Sequence, residues 1–291
     1  MRFSVVIPTY NRVDTLRQTL AAVSAQDRSD YDILVIDDGS TDATAETVAQ
    51  EFPGVRLLRQ PNRGPAAARN RGIHEATGDV VAFTDDDCVP PPDWLSRLAA
   101  GYGRYPHIAG AGGYLEAPDA LMRLNLLAQF ERSIGRDEYG AGQEEMVGGF
   151  ECPAGGTNNM SYRRSVLLHA GGFDETFPYA AGEDADLKWR VCQTGARLLY
   201  MPVKVKHLQP YTWRHFRRQY ITRGRGVVHF ERKHRGHPPS LTRVLLRFAR
   251  RLIQLPLDSI RGPQRRMTFV RFAAGWYDCV GQLIEFQNLR R

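Results

Sequence analysis

Four short apolar runs separated by three amphipathic stretches leave the first part of the chain little choice of architecture. Ser4–Ile7, Tyr31–Ile36, Val55–Leu58 and Asp79–Thr84 read as strands. Val13–Ser24, Asp42–Phe52 and Pro65–Glu75 read as helices, the second with Ser40 or Thr41 near its cap and the third with proline in its first turn. Such alternation builds a parallel sheet with helices on both faces. Ligands bind such sheets at the C-terminal ends of the strands. The polar clusters stand there: Pro8-Thr9-Tyr10-Asn11-Arg12, Asp37-Asp38-Gly39-Ser40 and Asp85-Asp86-Asp87 each follow a predicted strand.

Three consecutive carboxylates repel one another and raise one another's pKa unless a cation sits among them. Hard oxygen ligands at a strand end suit Mg²⁺ or Mn²⁺, and an ion so held commonly also binds substrate phosphates. For an Asp triplet taken by itself, a solvated acidic turn is the plain alternative.

The 291 residues are 42% hydrophobic and 24% charged, enough for one large domain or one domain with an appendage. No run of 18 apolar residues occurs, so no transmembrane helix is expected, and Met1–Pro8 reads as a first strand rather than a signal peptide. Cys88, Cys152, Cys192 and Cys279 show no metal-type spacing and are expected to be reduced in a cytoplasmic protein. The formal charge of +7 favours anionic partners: nucleotides, phospholipid head groups or nucleic acid. From about Pro106 to Gly156 the chain is glycine-rich and less regular, with Leu121–Ile134 helical and Gly135–Gly149 a flexible loop. Asn158–Tyr162 and Arg197–Met201 read as strands, and Arg163–Ala170 and Glu183–Thr194 as helices.

Six segments, in order over roughly the first 210 residues, resemble the family 2 glycosyltransferases, inverting enzymes of the GT-A fold. They are Ser4 to Arg12; Asp37-Asp38-Gly39-Ser40-Thr41-Asp42; Asn62 to Gly72; Phe83-Thr84-Asp85-Asp86-Asp87, where the family has its Asp-x-Asp motif; Gly155 to Met160; and Gly171 to Glu175 with Gly182 to Leu187. The resemblance implies an α/β GT-A domain over residues 1–210, a Rossmann-like mixed sheet flanked by helices, followed by a basic helical region over 211–291. It implies transfer of a single sugar from a nucleoside-diphosphate sugar to a glycan or lipid-linked acceptor, in cell-surface polysaccharide or glycoconjugate synthesis.

The resemblance also assigns roles. Pro8 and Thr9 would lie beneath the nucleotide, with Tyr10 and Arg12 on the donor. Asp38, or its neighbour Asp37, would accept a base imide N–H, while turn duty on the Gly39-Ser40 backbone is the competing use of either carboxylate. Arg69 would contact base or phosphate, or else be a surface helix arginine. Mn²⁺ or Mg²⁺ would bind Asp87 directly, with Asp85 bracketing the motif and Asp86 filling its variable place. His207 would add an imidazole ligand, touch a phosphate, or serve the structure alone. Asp184 would be the base that deprotonates the acceptor, with Glu183 supporting it. Helix capping is the alternative for this pair. Gly155, Gly156, Thr157 and Asn158, with Asn159, would line the cavity near sugar and acceptor, and Gly171–Glu175 would be a helix stop and turn with Phe173 in the core.

Beyond Tyr211 the chain is basic and helical. Leu241, Val244, Leu245, Phe248 and Leu252 recur at helical spacing against Arg243, Arg247, Arg250 and Arg251. Such a helix suits either an anionic lipid surface, at the inner face of the plasma membrane, or its own core or a dimer partner. Met267–Phe286 reads as interfacial or packed, not spanning. The Gln-x-x-Arg-Trp signature of processive polymerases is absent, which argues against long-chain synthesis. Two other readings stand beside transfer. A nucleotidyltransferase of related fold would want a glycine-rich basic loop where Pro8–Arg12 stands, and a non-catalytic binder of anionic surfaces is opposed by the intact acidic motifs. Nucleic acid is not an expected partner.

Overall fold

The computed structural model describes residues 1–134, 144–240, 242–246, 249 and 265–289. They pack as two compact units, one of Met1–Pro118, Ile134–Glu175 and Asp184–Gln209, the other of Asp119–Ser133, Thr176–Glu183 and Pro210–Arg291.

The first unit is built on a mixed sheet. Its strands β1 (Phe3–Thr9), β2 (Tyr31–Asp37), β3 (Arg56–Arg59) and β4 (Val80–Phe83) are the four predicted from the apolar runs, and they lie parallel in the order β3-β2-β1-β4. The sheet then changes direction. β8 (Met160–Arg163) runs antiparallel to both β4 and β6 (Gly110–Glu116), and β9 (Leu198–His207) runs parallel to β6. Two short strands, β5 (Cys88–Val89) and β7 (Met146–Gly148), pair antiparallel with β9. The register sets Thr9 level with Asp37, and Asp37 level with Arg59, so the turns after β1, β2 and β3 leave the sheet at one end.

Apolar side chains cover both faces. On one, Ile7, Val35 and Val203 pack with Leu16 and Leu20 of α1 (Val13–Ser24) and Trp94, Leu98 and Tyr102 of α4 (Trp94–Arg104). On the other, Val6, Ile36 and Phe83 pack with Ala68 and Ile73 of α3 (Pro65–Glu75), Leu167 of α7 (Arg164–His169) and Leu187 of α8 (Glu183–Gln193). Helix α2 (Thr44–Glu51) buries Thr44, Thr47 and Val48. At Gly72 of α3 an added Cβ would lie 2.3 Å from Val6 Cγ1, so glycine permits the close seat of α3 on β1.

Three sequence expectations change. The irregular middle contains β6, an interior strand whose glycines conceal it: a Cβ at Gly113 would stand 2.1 Å from the Val203 carbonyl oxygen. The helix predicted over Leu121–Ile134 is two, α5 (Asp119–Met122) and α6 (Leu126–Ser133). Asn125 separates them, its Oδ1 accepting the Leu127 and Ala128 N–H groups at 2.9 and 3.2 Å as a cap for α6. Of the loop expected over Gly135–Gly149, residues 135–143 lie outside the described residues, and Met146–Gly148 is not loop but β7.

The second unit holds α5, α6, α9 (Trp213–Arg235) and α10 (Arg265–Asn288). Helices α9 and α10 meet at glycines: a Cβ at Gly224 would fall 2.0 Å from the Asp278 carbonyl oxygen, and one at Gly281 2.1 Å from that of Ile221. Phe216 stacks with Phe130 and Tyr220, ring centroids 5.7 and 4.6 Å apart. Glu285, buried, bonds Arg225 Nε at 2.7 Å and His229 Nε2 at 2.8 Å. Of the periodic segment from Leu241 to Leu252, residues 241, 247, 248 and 250–252 lie outside the described residues. No helix among the described residues is long and apolar enough to cross a membrane.

Candidate functional site at the strand ends

The turn after β2 is held by its own aspartates. Asp37, fully buried, accepts the Ser40 N–H and Arg59 Nε, both at 2.8 Å. Asp38 accepts Gln60 Nε2 at 2.7 Å, the Arg63 N–H at 3.0 Å and the Gly64 N–H at 2.8 Å. Asp37 therefore carries the turn duty on Ser40, whereas the Asp38 carboxylate bonds the segment that follows β3. The Asp38 N–H donates to the Thr9 carbonyl at 2.9 Å, which ties this turn to the end of β1. Pro8 is buried within β1, and the Tyr10 side chain is exposed just beyond it. Arg59 and Gln60 escaped the sequence reading. Only the register, which sets Arg59 opposite Asp37, would have marked the first of them.

The Asp triplet is neither solvated nor left to repel itself. Asp86 and Asp87 are 4% and 5% exposed. Arg12 spans them, with one guanidinium nitrogen 3.0 Å from Asp86 Oδ1 and the other 2.6 Å from Asp87 Oδ2. Thr9 Oγ1 donates to Asp86 Oδ2 at 2.8 Å. Arg69 donates to Asp85 Oδ1 at 2.9 Å and lies over the Phe173 ring at 5.7 Å. Arg69 is buried, so the surface-arginine alternative fails. Phe173 is in the core as expected, and Asn70 fixes its turn, accepting the Phe173 N–H at 2.7 Å and donating to its carbonyl at 2.9 Å.

His207 reaches the same point from the far side of the sheet. β5 pairs Cys88 with His207, and the Leu208 N–H donates to the Asp87 carbonyl at 2.7 Å. His207 Nε2 lies 3.6 Å from Asp87 Oδ2. Asp87, Cys88 and His207 offer donor atoms within 4.8 Å of one another. A carboxylate with an imidazole fits a divalent cation such as Mn²⁺. Cys88 is a poor third ligand, because burial first, and then Asp85 and Asp87, raise its thiol pKa well above the ordinary value. Its Sγ instead donates to Asp87 Oδ1 at 3.6 Å.

These contacts separate two neighbouring carboxyls. Burial is the main cause that lifts the Asp86 pKa to about 7, with Arg12 opposing and Asp87 adding. Burial pushes Asp87 the same way, but His207 and Arg12 outweigh it and hold Asp87 well below the usual carboxylate range.

The Gly155–Asn158 loop joins the end of β4, where Thr84 Oγ1 donates to the Asn158 carbonyl at 3.3 Å. Asn159 does not line a cavity. It is 1% exposed, its Oδ1 takes Trp94 Nε1 at 2.9 Å, and its Nδ2 donates to the Tyr114 and Val203 carbonyls at 3.0 and 2.9 Å. Asp184 and Glu183 open α8 as expected. Asp184 Oδ1 accepts the Ala185 N–H at 2.7 Å, and among the described residues no hydrogen bond joins Asp184 to the aspartate cluster. Lys188, one turn on and unremarked in the sequence, links this helix to the loop. Its Nζ donates to the Cys152 carbonyl, and a Cβ at Gly155, where φ is +146°, would lie 2.7 Å from its Cδ. Burial lowers the Lys188 pKa.

A parallel nucleotide-type half-sheet continued by antiparallel strands, with acidic turns at the strand ends, defines the GT-A class of fold. The profile of glycosyl transferase family 2 matches residues 4–167, and the chain belongs to that family. It is 34% identical over 214 residues to a pre-mycofactocin glycosyltransferase of Mycobacterium tuberculosis, a match spanning 69% of this chain and 41% of that protein. It is 29% identical over 216 residues to a glucosyl-dolichyl phosphate glucuronosyltransferase of Haloferax volcanii, spanning 69% and 66% of the two chains. Each match therefore covers less than two thirds of the relative's length. Among solved structures, a mannosyltransferase of Pyrobaculum calidifontis in complex with GDP-Man and Mn²⁺ shares the fold, with a TM-score of 0.65, 21% identity, and coverage of 97% of this chain and 87% of that one. So does S. aureus TarS 1-349, with a TM-score of 0.53, 18% identity and coverage of 99% and 92%.

Proposed function

We propose that the chain is a metal-dependent, inverting glycosyltransferase that moves one sugar from a nucleoside-diphosphate sugar to a glycan or lipid-linked acceptor. The observation that carries this reading is the closure of Thr9, Arg12, Asp86, Asp87 and His207, from three separated segments, on one buried point at the strand ends. The GDP-Man and Mn²⁺ of the archaeal mannosyltransferase give the donor and ion classes their model.

In this reading Asp87 and His207 would hold the ion, with Asp85 beside them, and an ion bound there would offset the negative charge of the diphosphate. Arg12 and Arg69 bring two further positive charges to the same place. The Asp38 turn takes the base, and the Gly155–Asn158 loop borders the sugar. Asp184 accepts the proton of the acceptor hydroxyl as its oxygen bonds the anomeric carbon. The bond from that carbon to the diphosphate oxygen breaks in the same displacement, and the nucleoside diphosphate leaves.

Calorimetric titration with UDP, GDP and dTDP, each with Mn²⁺ and with chelator, tests the donor site. One nucleotide should bind, and only with metal. Failure of all three to bind with Mn²⁺ present would refute the reading.

A further inference from the structure

The second unit turns its acids inward and its arginines and aromatic rings outward. Among its described residues Asp119 is the one exposed acid, while Glu231 and Glu285 are 5% and 4% exposed. Glu285 is bonded to Arg225 and His229 inside the unit. Basic side chains stay outside: Arg214, Arg217 and Arg218 on α9, and Arg266 and Arg271 on α10, are all exposed.

Among the described residues, most of the exposed large apolar side chains belong to this same unit. Phe269, Phe272 and Trp276 follow one another at helical spacing on α10, 58%, 39% and 47% exposed. Val280 and Leu283, half-buried, continue the stripe. Val270 and Ala274, turned well away from the stripe, are buried, and so are Ala273 and Cys279 at its borders. Trp213, 44% exposed at the start of α9, stacks edge-on against Phe269 at 5.8 Å, so the two helices present one aromatic patch. Arg217, four residues after Trp213 on α9, and Arg266, three residues before Phe269 on α10, share the helix faces of those rings and flank the patch.

We propose that this face of α9 and α10 lies on an anionic lipid surface, with Trp213, Phe269, Phe272 and Trp276 in the head-group boundary and the arginines against the lipid charge. Aromatic rings at the boundary beside cationic side chains are what such an interface selects. Basic side chains near an anionic bilayer are attracted to it by a field that salt screens. Helix α10, 24 residues or about 36 Å long, would lie along the surface rather than through it. A second copy of the chain is the weaker occupant, because two such faces bring like charges together.

The test is co-sedimentation of the full chain with vesicles of phosphatidylglycerol and phosphatidylcholine, against phosphatidylcholine alone, at low and high salt. Partition into the anionic vesicles should be at least tenfold stronger and should weaken as salt rises. Phe269→Ser with Trp276→Ser should cut it about tenfold while helicity and melting temperature hold. Arg214→Gln with Arg217→Gln should flatten the salt dependence without touching the aromatic patch. Equal partition into both vesicles, or none, would overturn the proposal. So would self-association abolished by the same aromatic changes, which would assign the face to a second copy. Tighter binding of a single-stranded oligonucleotide than of anionic vesicles at equal salt would also overturn it. None of these readouts uses the donor site, so they stand or fall apart from the transferase reading.

Discussion

The guanidinium of Arg12 lies 2.6 Å from Asp87 Oδ2 and reaches Asp86 Oδ1 with its other nitrogen, so one protein cation occupies the charge niche of the acidic cluster. A divalent ion on Asp87 and His207 would compete with it for the same carboxylate. Replacing Arg12 by Gln should therefore tighten Mn²⁺ binding about fivefold, equivalent to about 1 kcal/mol of relieved competition at a half-exposed site. The same variant should melt lower than the parent when metal is absent, because Asp86 and Asp87 lose their partner. Mn²⁺ titration by paramagnetic resonance and paired melting curves read the two effects. Weaker Mn²⁺ binding in the variant would show that Arg12 supports the ion instead of competing with it.

Asp86 gives the metal-free protein a distinctive pH response. Its pKa stands near 7, raised chiefly by burial, whereas in the unfolded chain it returns to about 4. The folded state therefore holds a proton that the unfolded state has released, and stability contributed by this group falls as pH rises from about 4 to about 7, then levels off. The span amounts to something on the order of 4 kcal/mol. Asp87 runs the other way: its depressed pKa favours the folded state above the ordinary carboxylate range, and that contribution is lost only as pH drops below it. Between about pH 4 and pH 7 the melting temperature of the metal-free protein should decline through this group, levelling above that, and Asp86→Asn should flatten the decline. An unchanged slope in that variant would remove Asp86 as its source.

Asn159 illustrates how a motif residue can serve the scaffold. Its amide joins α4, β6 and β9 through Trp94, Tyr114 and Val203, away from solvent. Asn159→Ala should cost about 3 kcal/mol, since it strands a buried indole N–H and two carbonyls. Chemical denaturation measures this. Nucleotide affinity of the fraction that remains folded should be unchanged, whereas a lining residue would show the reverse pattern.

The parallel half of the sheet was legible in the sequence because its strands have apolar side chains in short runs bounded by turns, and β8 and the start of β9 were legible beside it. β1 to β4 and α1 to α3 carry that signal, and the aspartates at their ends were found by position alone. β6 carries little of it, because Gly110, Gly112 and Gly113 are selected for close approach of backbones and leave no periodic pattern. Within the site, the residue types were legible and their partners were not. Nothing in sequence spacing says that Arg12 crosses to residues 86 and 87, that Arg69 is buried against Asp85, or that Cys88 and His207 pair across β5 and β9. Lys188 escaped for the same reason: its importance lies in the distance to Gly155, which belongs to the fold.

Asp184 offers the sharpest separation of chemistry from architecture. It opens α8, where a carboxylate also complements the helix dipole, an effect of about 0.5 kcal/mol at such a site. Asparagine is isosteric with aspartate and keeps an oxygen that can accept the Ala185 N–H, as Asp184 Oδ1 does. If Asp184 only caps, Asp184→Asn should fold, bind nucleotide and turn over at close to the parent rate. If Asp184 takes the acceptor proton, the amide has no basic oxygen to offer, and turnover should fall about a thousandfold with nucleotide affinity and melting temperature preserved. Steady-state rates on the nucleotide sugar identified by calorimetry, beside a binding isotherm for each protein, tell the two apart. The stereochemistry of the product, read from the anomeric proton in NMR, adds an independent check, because a single displacement assisted by Asp184 must invert the donor's anomeric configuration.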